Sequence, residues 1–400
     1  DDINKIGVAN LITDQMMEGT KNKTPIELEE AIDDLGSSIS MFTTAQSIVI
    51  KSNCLSSKFK DTYDLVEEIL FEPRWDEKEF VRIKDETIEN IKRRKADPSA
   101  IAGFVFNKMI YGEKSILSNY TMGTEASVKS ISIDDLKEYY NNNFSPEVTS
   151  ITIAGDISQS TALNTFKSLE KKWEVKDVEL PAVEIPEKPK EQSIYFVDFP
   201  DAKQSAIRIG NLGLSYTNPD FYKAYVMNYK LGGSFNGIVN MILREEKGYT
   251  YGARTSFSGN LFPGTFVAYS SVQSNTTLES TQIFLNEMKA YREGISQKDL
   301  EFTKNALIRS NARSFETLGA LRGMLDNIAM YDLPFDYLKE REHEVKEMTL
   351  EEHKALAQKY IDPSIMICVI AGDAKTQVAQ LRDLGMGEPI LVDKNGDIVQ

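Results

Sequence analysis

Matching landmarks recur along this chain at a nearly constant offset, and that repeat restricts the folds open to it more than any single motif does. The apolar run Ile151-Thr152-Ile153-Ala154-Gly155-Asp156 follows Ser145-Pro146. Its counterpart Cys368-Val369-Ile370-Ala371-Gly372-Asp373 follows Asp362-Pro363, with Gly155 and Gly372 217 residues apart. Asp76-Glu77-Lys78-Glu79-Phe80 is matched 222 residues later by Lys298-Asp299-Leu300-Glu301-Phe302, and the helix stops at Gly36 and Gly248 are 212 apart. Landmarks kept in order at one spacing imply duplication of a domain of roughly 200 residues. Each half is expected to place an apolar strand, Ile151–Asp156 or Cys368–Asp373, after a helix.

Boundaries follow from the repeat. A first module is expected over 1–174, a linker over 175–192 and a second module over 193–400. Pro181, Pro186 and Pro189 stand among Glu and Lys in the linker, and proline at that density favours extended chain. The second module opens with strand-like Ile194–Val197 and Ser205–Gly210, for which the first module has no counterpart at the repeat offset. The first module is therefore expected to lack its initial strands, as the downstream piece of a longer polypeptide would.

Local patterns describe α+β modules. Thr24-Pro25-Ile26-Glu27 is a capping box with proline at the first helical position. Ser38–Thr44 and Ser47–Asn53 read as strands. Leu65, Val66, Ile69 and Leu70 mark one helix, and Phe80, Ile83, Thr87, Ile88 and Ile91 a longer one. Tyr249–Phe257 and Thr265–Val272 flank Ser258-Gly259-Asn260 as a hairpin. The economical packing is a mostly antiparallel sheet in each module with helices on one face. No run of eighteen apolar residues exists, so no membrane-spanning helix is expected. A net charge of −15 argues against nucleic-acid binding.

The residues that carry chemistry begin with Gly7–Thr20, whose frame is Gly7, Ala9, Met16, Gly19 and Thr20. Further on comes Leu231-Gly232-Gly233-Ser234-Phe235, followed by Leu243-Arg244-Glu245-Glu246-Lys247-Gly248-Tyr249-Thr250-Tyr251-Gly252. Together with the two Ala-Gly-Asp strands and the duplication, these motifs resemble the pitrilysin/insulinase-type zinc metallopeptidases over nearly the whole chain. Within that family the chain resembles a non-catalytic half or subunit, of the kind represented by the alpha subunit of mitochondrial processing peptidase. The family's zinc helix carries H-x-x-E-H, two imidazoles for the metal and a Glu to activate water. The corresponding positions here are Asn10, Thr13 and Asp14. Asn90 stands at the family's third ligand position, where an alignment shift of one residue would put Glu89 instead. The chain's two histidines, His343 and His353, and two cysteines, Cys54 and Cys368, show no metal-binding spacing. Without the resemblance, Gly7–Thr20 would read simply as an amphipathic core helix.

The resemblance also implies roles that remain. In the family an Arg and a Tyr seven residues later, supplied by the non-zinc half or a partner, hold the substrate carbonyl. Arg244 and Tyr251 match that pair, while Gly232, Gly233 and Phe235 match the substrate-binding signature. A guanidinium and a phenol placed in advance would stabilise the negative charge of a tetrahedral intermediate. The plainer alternative is an Arg at a helix end and a Tyr packed in a strand. Gly232-Gly233 is expected to make a tight turn. Edge-strand pairing with substrate would fall on Ser38–Thr44, where a structural role is the simpler reading. The Asn-Gly of the tail Asp393–Asp397 marks a turn, since glycine sits at the wrong place for a calcium loop.

The chain is thus expected to bind no metal itself, with zinc in an H-x-x-E-H half that would be its partner, and peptides as substrates. Bacterial relatives of this kind suggest the periplasm. The alternative is a non-enzymatic scaffold or peptide-binding module, as with core subunits of the respiratory bc1 complex. A self-sufficient peptidase of another type lacks support, since no G-x-S-x-G elbow or Cys–His context appears.

Overall fold

The computed structural model describes residues 1–180 and 183–399, so the linker residue Pro181 lies outside the described residues. In chain order the helices are α1 (Val8–Met16), α2 (Pro25–Asp34), α3 (Phe59–Phe71), α4 (Glu77–Lys95), α5 (Pro98–Tyr111), α6 (Glu125–Ser130), α7 (Ile133–Asn143), α8 (Gln159–Lys172), α9 (Phe221–Asn228), α10 (Ile238–Asn240), α11 (Thr277–Tyr291), α12 (Gln297–Ala312), α13 (Leu318–Tyr331), α14 (Tyr337–Glu347), α15 (Leu350–Tyr360) and α16 (Ala374–Leu381). The strands are β1 (Ser38–Thr43), β2 (Ile48–Asn53), β3 (Ser193–Asp198), β4 (Gln204–Leu212), β5 (Thr250–Gly259), β6 (Pro263–Gln273), β7 (Ile367–Gly372) and β8 (Ile390–Val392).

Contacts divide these elements into two α+β units that are discontinuous in sequence. One holds 1–93, 119–182 and 318–330, the other 94–118, 183–317 and 331–400. The sequence boundaries at 174 and 193 therefore miss two excursions. Segment 94–118 belongs with the second sheet because α5 presents Ile101, Val105 and Phe106 to a core shared with Val197, Val267 and Val369. Segment 318–330 belongs with the first unit.

In the first unit α1 sends Val8, Leu11, Ile12 and Met16 into a core with Leu28, Ile69, Phe80, Ile83 and Leu136. The capping box opening α2 forms as the sequence requires, with the Thr24 side chain and the Glu27 carboxylate each satisfying the other's backbone N–H. β1 and β2 pair antiparallel, Ser38 facing Asn53 and Thr43 facing Ile48.

The strand expected at Ile151–Asp156 does not form: the segment makes no ladder, and Ile151 is exposed. A strand is stable only when a neighbour takes up its backbone hydrogen bonds. Its sequence counterpart, β7, lies between β3 and β4. Among the described residues the first unit offers only the β1–β2 pair, so the same strand-forming composition goes unpaired.

The second unit is built on a six-stranded sheet in the order β5-β6-β4-β7-β3-β8. Pairing is antiparallel from β5 to β7, and β3 runs parallel to both β7 and β8. One face carries a large core in which Phe196, Ile207, Phe266 and Ile370 meet Met227, Phe284 and Leu356. The other face is covered by α5, where the sequence suggested helices on one side alone. Burial from both faces explains why every residue of β7 is buried and why its sequence is an uninterrupted apolar run. The tail Asp393–Asp397 is the expected turn: Asp393 N–H donates to the Asp397 carbonyl and Gly396 has a positive φ of 82°.

Candidate functional site

In the first unit Asn10 and Asp14 fall one helical turn apart on α1, and the Asn10 amide donates to the Asp14 carboxylate at 3.1 Å. Thr13 points into the core, 1% exposed, and its hydroxyl donates to the Asn10 carbonyl at 2.8 Å. Crowding that withdraws water from the Asp14 carboxyl, then the charges of Glu18 and Glu86, push its pKa up to about 6, although the residue as a whole stays exposed. The Asn10 hydrogen bond opposes that rise. Arg82 ties the surrounding acids together, reaching Glu18 at 2.5 Å, Glu79 at 2.7 Å and Glu86 at 2.9 Å.

Asn90 makes no hydrogen bond to Asn10, Thr13 or Asp14 among the described residues. Its side-chain oxygen accepts from Arg93, and Glu89 pairs with Lys92 at 2.6 Å. Among α4 side chains, it is the charge of Glu86 that acts at Asp14. Sequence reading passed over Glu86 because it lies four residues before Asn90, one turn earlier on the same helix face. The donor set does not suit zinc: an amide, a buried hydroxyl already committed to a carbonyl, and one carboxylate offer neither imidazole nor thiolate. Among the described residues no group of three His, Cys, Asp or Glu is arranged to hold a metal ion. His353 is a core residue, its Nε2 3.1 Å from the Tyr291 hydroxyl and 3.2 Å from the Met227 carbonyl.

The glycine-rich signature of the second unit lies along β5, the outermost strand of the sheet. Its open edge is covered by side chains rather than by another strand. Asn240 accepts from the Ala253 N–H at 3.0 Å, and Asn228 donates to the Thr255 carbonyl at 2.9 Å. Two π-helical turns carry this cover, Tyr229–Gly233 and Met241–Glu246, a geometry common at functional sites. Gly232 is required by close approach: a Cβ there would sit 2.6 Å from the Thr255 backbone nitrogen. Neither Gly232 nor Gly233 has a positive φ, so the expected tight turn is instead the end of a π-helical turn set against the strand.

Arg244 lies in the second π-helical turn. Its guanidinium lies over the Phe235 ring at 4.6 Å, and its one ion-pair contact among the described residues is with Glu245 at 3.5 Å. Arg254, which sequence reading did not single out, approaches the same ring at 5.8 Å and has a buried Nη1 with no partner among the described residues. Its only sequence signal is a basic residue three positions after Tyr251. The Phe235 ring, 49% exposed, thus sits against two guanidinium groups.

Tyr251 owes its position to a β-bulge. Thr250 faces Val272 and Ala253 faces Ser270, so three steps along β5 match two along β6. The Ser270 hydroxyl holds the bulge by donating to the Thr250 hydroxyl and to the Gly252 carbonyl, both at 2.9 Å. The extra residue turns Tyr251 out of the sheet, where it is 90% exposed. Beside it opens a cavity of about 300 Å³, whose lining includes Arg208, Tyr269 and Ser270. Arg244 and Tyr251 share no hydrogen bond or ring contact. Each offers donors to a third group: a guanidinium over an aromatic ring and a phenol in solvent.

Two family models match the chain. The "Peptidase M16 inactive domain" model matches residues 130–307, and "Insulinase (Peptidase family M16)" matches residues 1–119. An "Uncharacterized zinc protease YmxG" of Bacillus subtilis is 25% identical over 312 residues, covering 78% of this chain and 75% of that protein. A "Non-peptidase homolog YmxG" of Helicobacter pylori is 22% identical over 358 residues, covering 88% and 81%. The crystal structure of a peptidase M16 inactive domain from Pseudomonas fluorescens superposes with a TM-score of 0.82 at 24% identity, over 92% of this chain and 89% of that one.

Proposed function

Because the chain belongs to the insulinase family, peptidase family M16, and is an inactive M16-type chain, we propose that it is the non-catalytic half of a two-part zinc endopeptidase. In this reading it encloses peptide substrate and lends Arg244 and Tyr251 to a homologous half that carries H-x-x-E-H. The observation that carries the reading is the contrast between its two motif sites. The zinc-helix positions have become Asn10, Thr13 and Asp14, while Arg244 and Tyr251 keep the family spacing on elements that hold them outward. Arg244 would hold a substrate carbonyl and Tyr251 would donate to the oxygen as it gains charge. Gly232, Gly233 and Phe235 form the wall beside which the peptide would lie. Among the described residues no helix is long and apolar enough to cross a membrane. The periplasmic address rests on the resemblance alone, and cell fractionation decides it.

A second reading, a peptide-binding or scaffold chain without catalysis, draws support from the lack of any contact between Arg244 and Tyr251. One experiment separates them. The purified chain is assayed for zinc and peptide hydrolysis, alone and mixed with a zinc-bearing H-x-x-E-H chain from the same source. The two-part peptidase predicts no activity alone and at least about a hundredfold gain over either chain on mixing, the scale of one oxyanion donor. A scaffold predicts no gain.

A further inference from the structure

On the helical side of the second unit, Arg341 of α14 sits among three tyrosine rings. Its guanidinium carbon is 5.1 Å from the centroid of Tyr216, 4.7 Å from Tyr222 and 4.9 Å from Tyr337. Tyrosine rings attract the charge of a guanidinium without supplying the paired oxygen acceptors that its planar fork of N–H donors matches. Among the described residues no hydrogen bond or ion pair takes them up. Of the two carboxylates flanking it in sequence, Glu340 makes no ion pair with it among the described residues and Glu342 is held by Lys346 at 2.5 Å, while Glu344 feels the charge of Arg341 from beyond ion-pair distance. A half-buried cation without a counter-ion among the described residues, in a chain of net charge −15, is a candidate anion site.

The space beside it is shaped for more than an ion. Arg341 lines a cleft of about 320 Å³ with Phe221, Leu307, Val345, Tyr225 and Asn311. The walls are mostly apolar or aromatic, the polar groups at the lining besides Arg341 include Asn311, Ser310 and the Lys346-paired Glu342, and a guanidinium edge matches a carboxylate in bidentate fashion. The volume is at the low end of the roughly 300–1,000 Å³ typical of ligand sites, which suits a terminal residue or two and not a long acyl chain. We propose that this cleft binds the C-terminal carboxylate of a peptide whose last side chain is apolar or aromatic. Arg341 takes the carboxylate, the Phe221–Leu307–Val345 wall takes the side chain, and Asn311 takes the last peptide group. The site is independent of Arg244 and Tyr251 and stands whether or not the chain serves a peptidase.

The test is isothermal titration of the intact chain with N-acetyl-Ala-Phe as the free acid and as the C-terminal amide, with octanoate as a third ligand. The free acid should bind at least about tenfold more tightly than the amide. Arg341→Met should abolish that preference, and Asn311→Asp, which places a carboxylate in the lining, should reduce it while leaving the circular dichroism spectrum unchanged. If Arg341→Met fails to fold, the acid-to-amide ratio of the wild type and its loss in Asn311→Asp still decide. Equal binding of acid and amide, or no binding of either, overturns the proposal. Octanoate binding as tightly as the dipeptide acid overturns the peptide assignment.

Discussion

At the scale of single residues, α1 carries a place of electrostatic tension. Asp14 is crowded by Glu18 and Glu86, so its carboxyl holds a proton up to about pH 6 in the folded state, against about 3.9 in an unfolded chain. A raised carboxyl pKa means that the folded state binds more protons, so this contribution to stability falls as pH rises from about 4 to 6. Asp14→Asn is therefore expected to raise Tm at pH 7.5 and to change it little at pH 4. Because Asp14 is exposed, the gain should be no more than about 2–4 °C. His353 works with the opposite sign. Burial lowers its pKa to about 4, the Met227 carbonyl pulling the other way, so the folded chain resists protonation that the unfolded chain accepts near 6.5. Its contribution is complete above 6.5 and declines as pH falls towards 4, by up to about 3 kcal/mol. Urea unfolding at pH 7 and pH 4.5 should show that decline, and His353→Gln should flatten it. Little of this was legible in the sequence: the count of two histidines excludes a zinc centre of the family's type, but the count says nothing of where the histidines lie.

At the scale of elements, legibility followed local chemistry. The capping box at Thr24–Glu27, the β5–β6 hairpin and the positions of β3 and β4, though each strand runs beyond the bounds read for it, were readable because residues within a few positions decide them. Ile151–Asp156 was misread because a strand is settled by its neighbours, and the same apolar pattern is β7 where β3 and β4 flank it. The bulge that turns Tyr251 outward and the cover over the β5 edge depend on Ser270, Asn228 and Asn240, none of which announces itself in sequence. That cover yields two expectations. Asn240→Ala leaves the buried Ala253 N–H without an acceptor and should cost about 1–3 kcal/mol in denaturant unfolding. Gly232→Ala drives a methyl into the Thr255 backbone and should cost at least about 1–3 kcal/mol in denaturant unfolding.

At the scale of the molecule, the two units are built unequally. The second keeps a full mixed sheet with helices on both faces, and the first keeps its helical core around α1 with a two-stranded sheet among the described residues. Under the proposed function, the contrast between Asn10, Thr13 and Asp14 in one unit and the Arg244/Tyr251 pair in the other is what a shared active site would require. Fold class and family were legible because order and spacing survive where chemistry is lost. The contact-defined units were not, because α5 takes its place through tertiary packing that the linear order hides. The central claim is that Arg244 and Tyr251 act on substrate held by another half. The most direct measurement is kcat/KM for peptide hydrolysis by the mixture of this chain with a zinc-bearing H-x-x-E-H chain from the same source, comparing wild type with the Arg244→Ala, Tyr251→Phe double variant. The account predicts a loss of about 10²–10³-fold, mostly in kcat, with assembly and Tm unchanged because both side chains reach solvent. A double variant that supports hydrolysis within about twofold of wild type contradicts it.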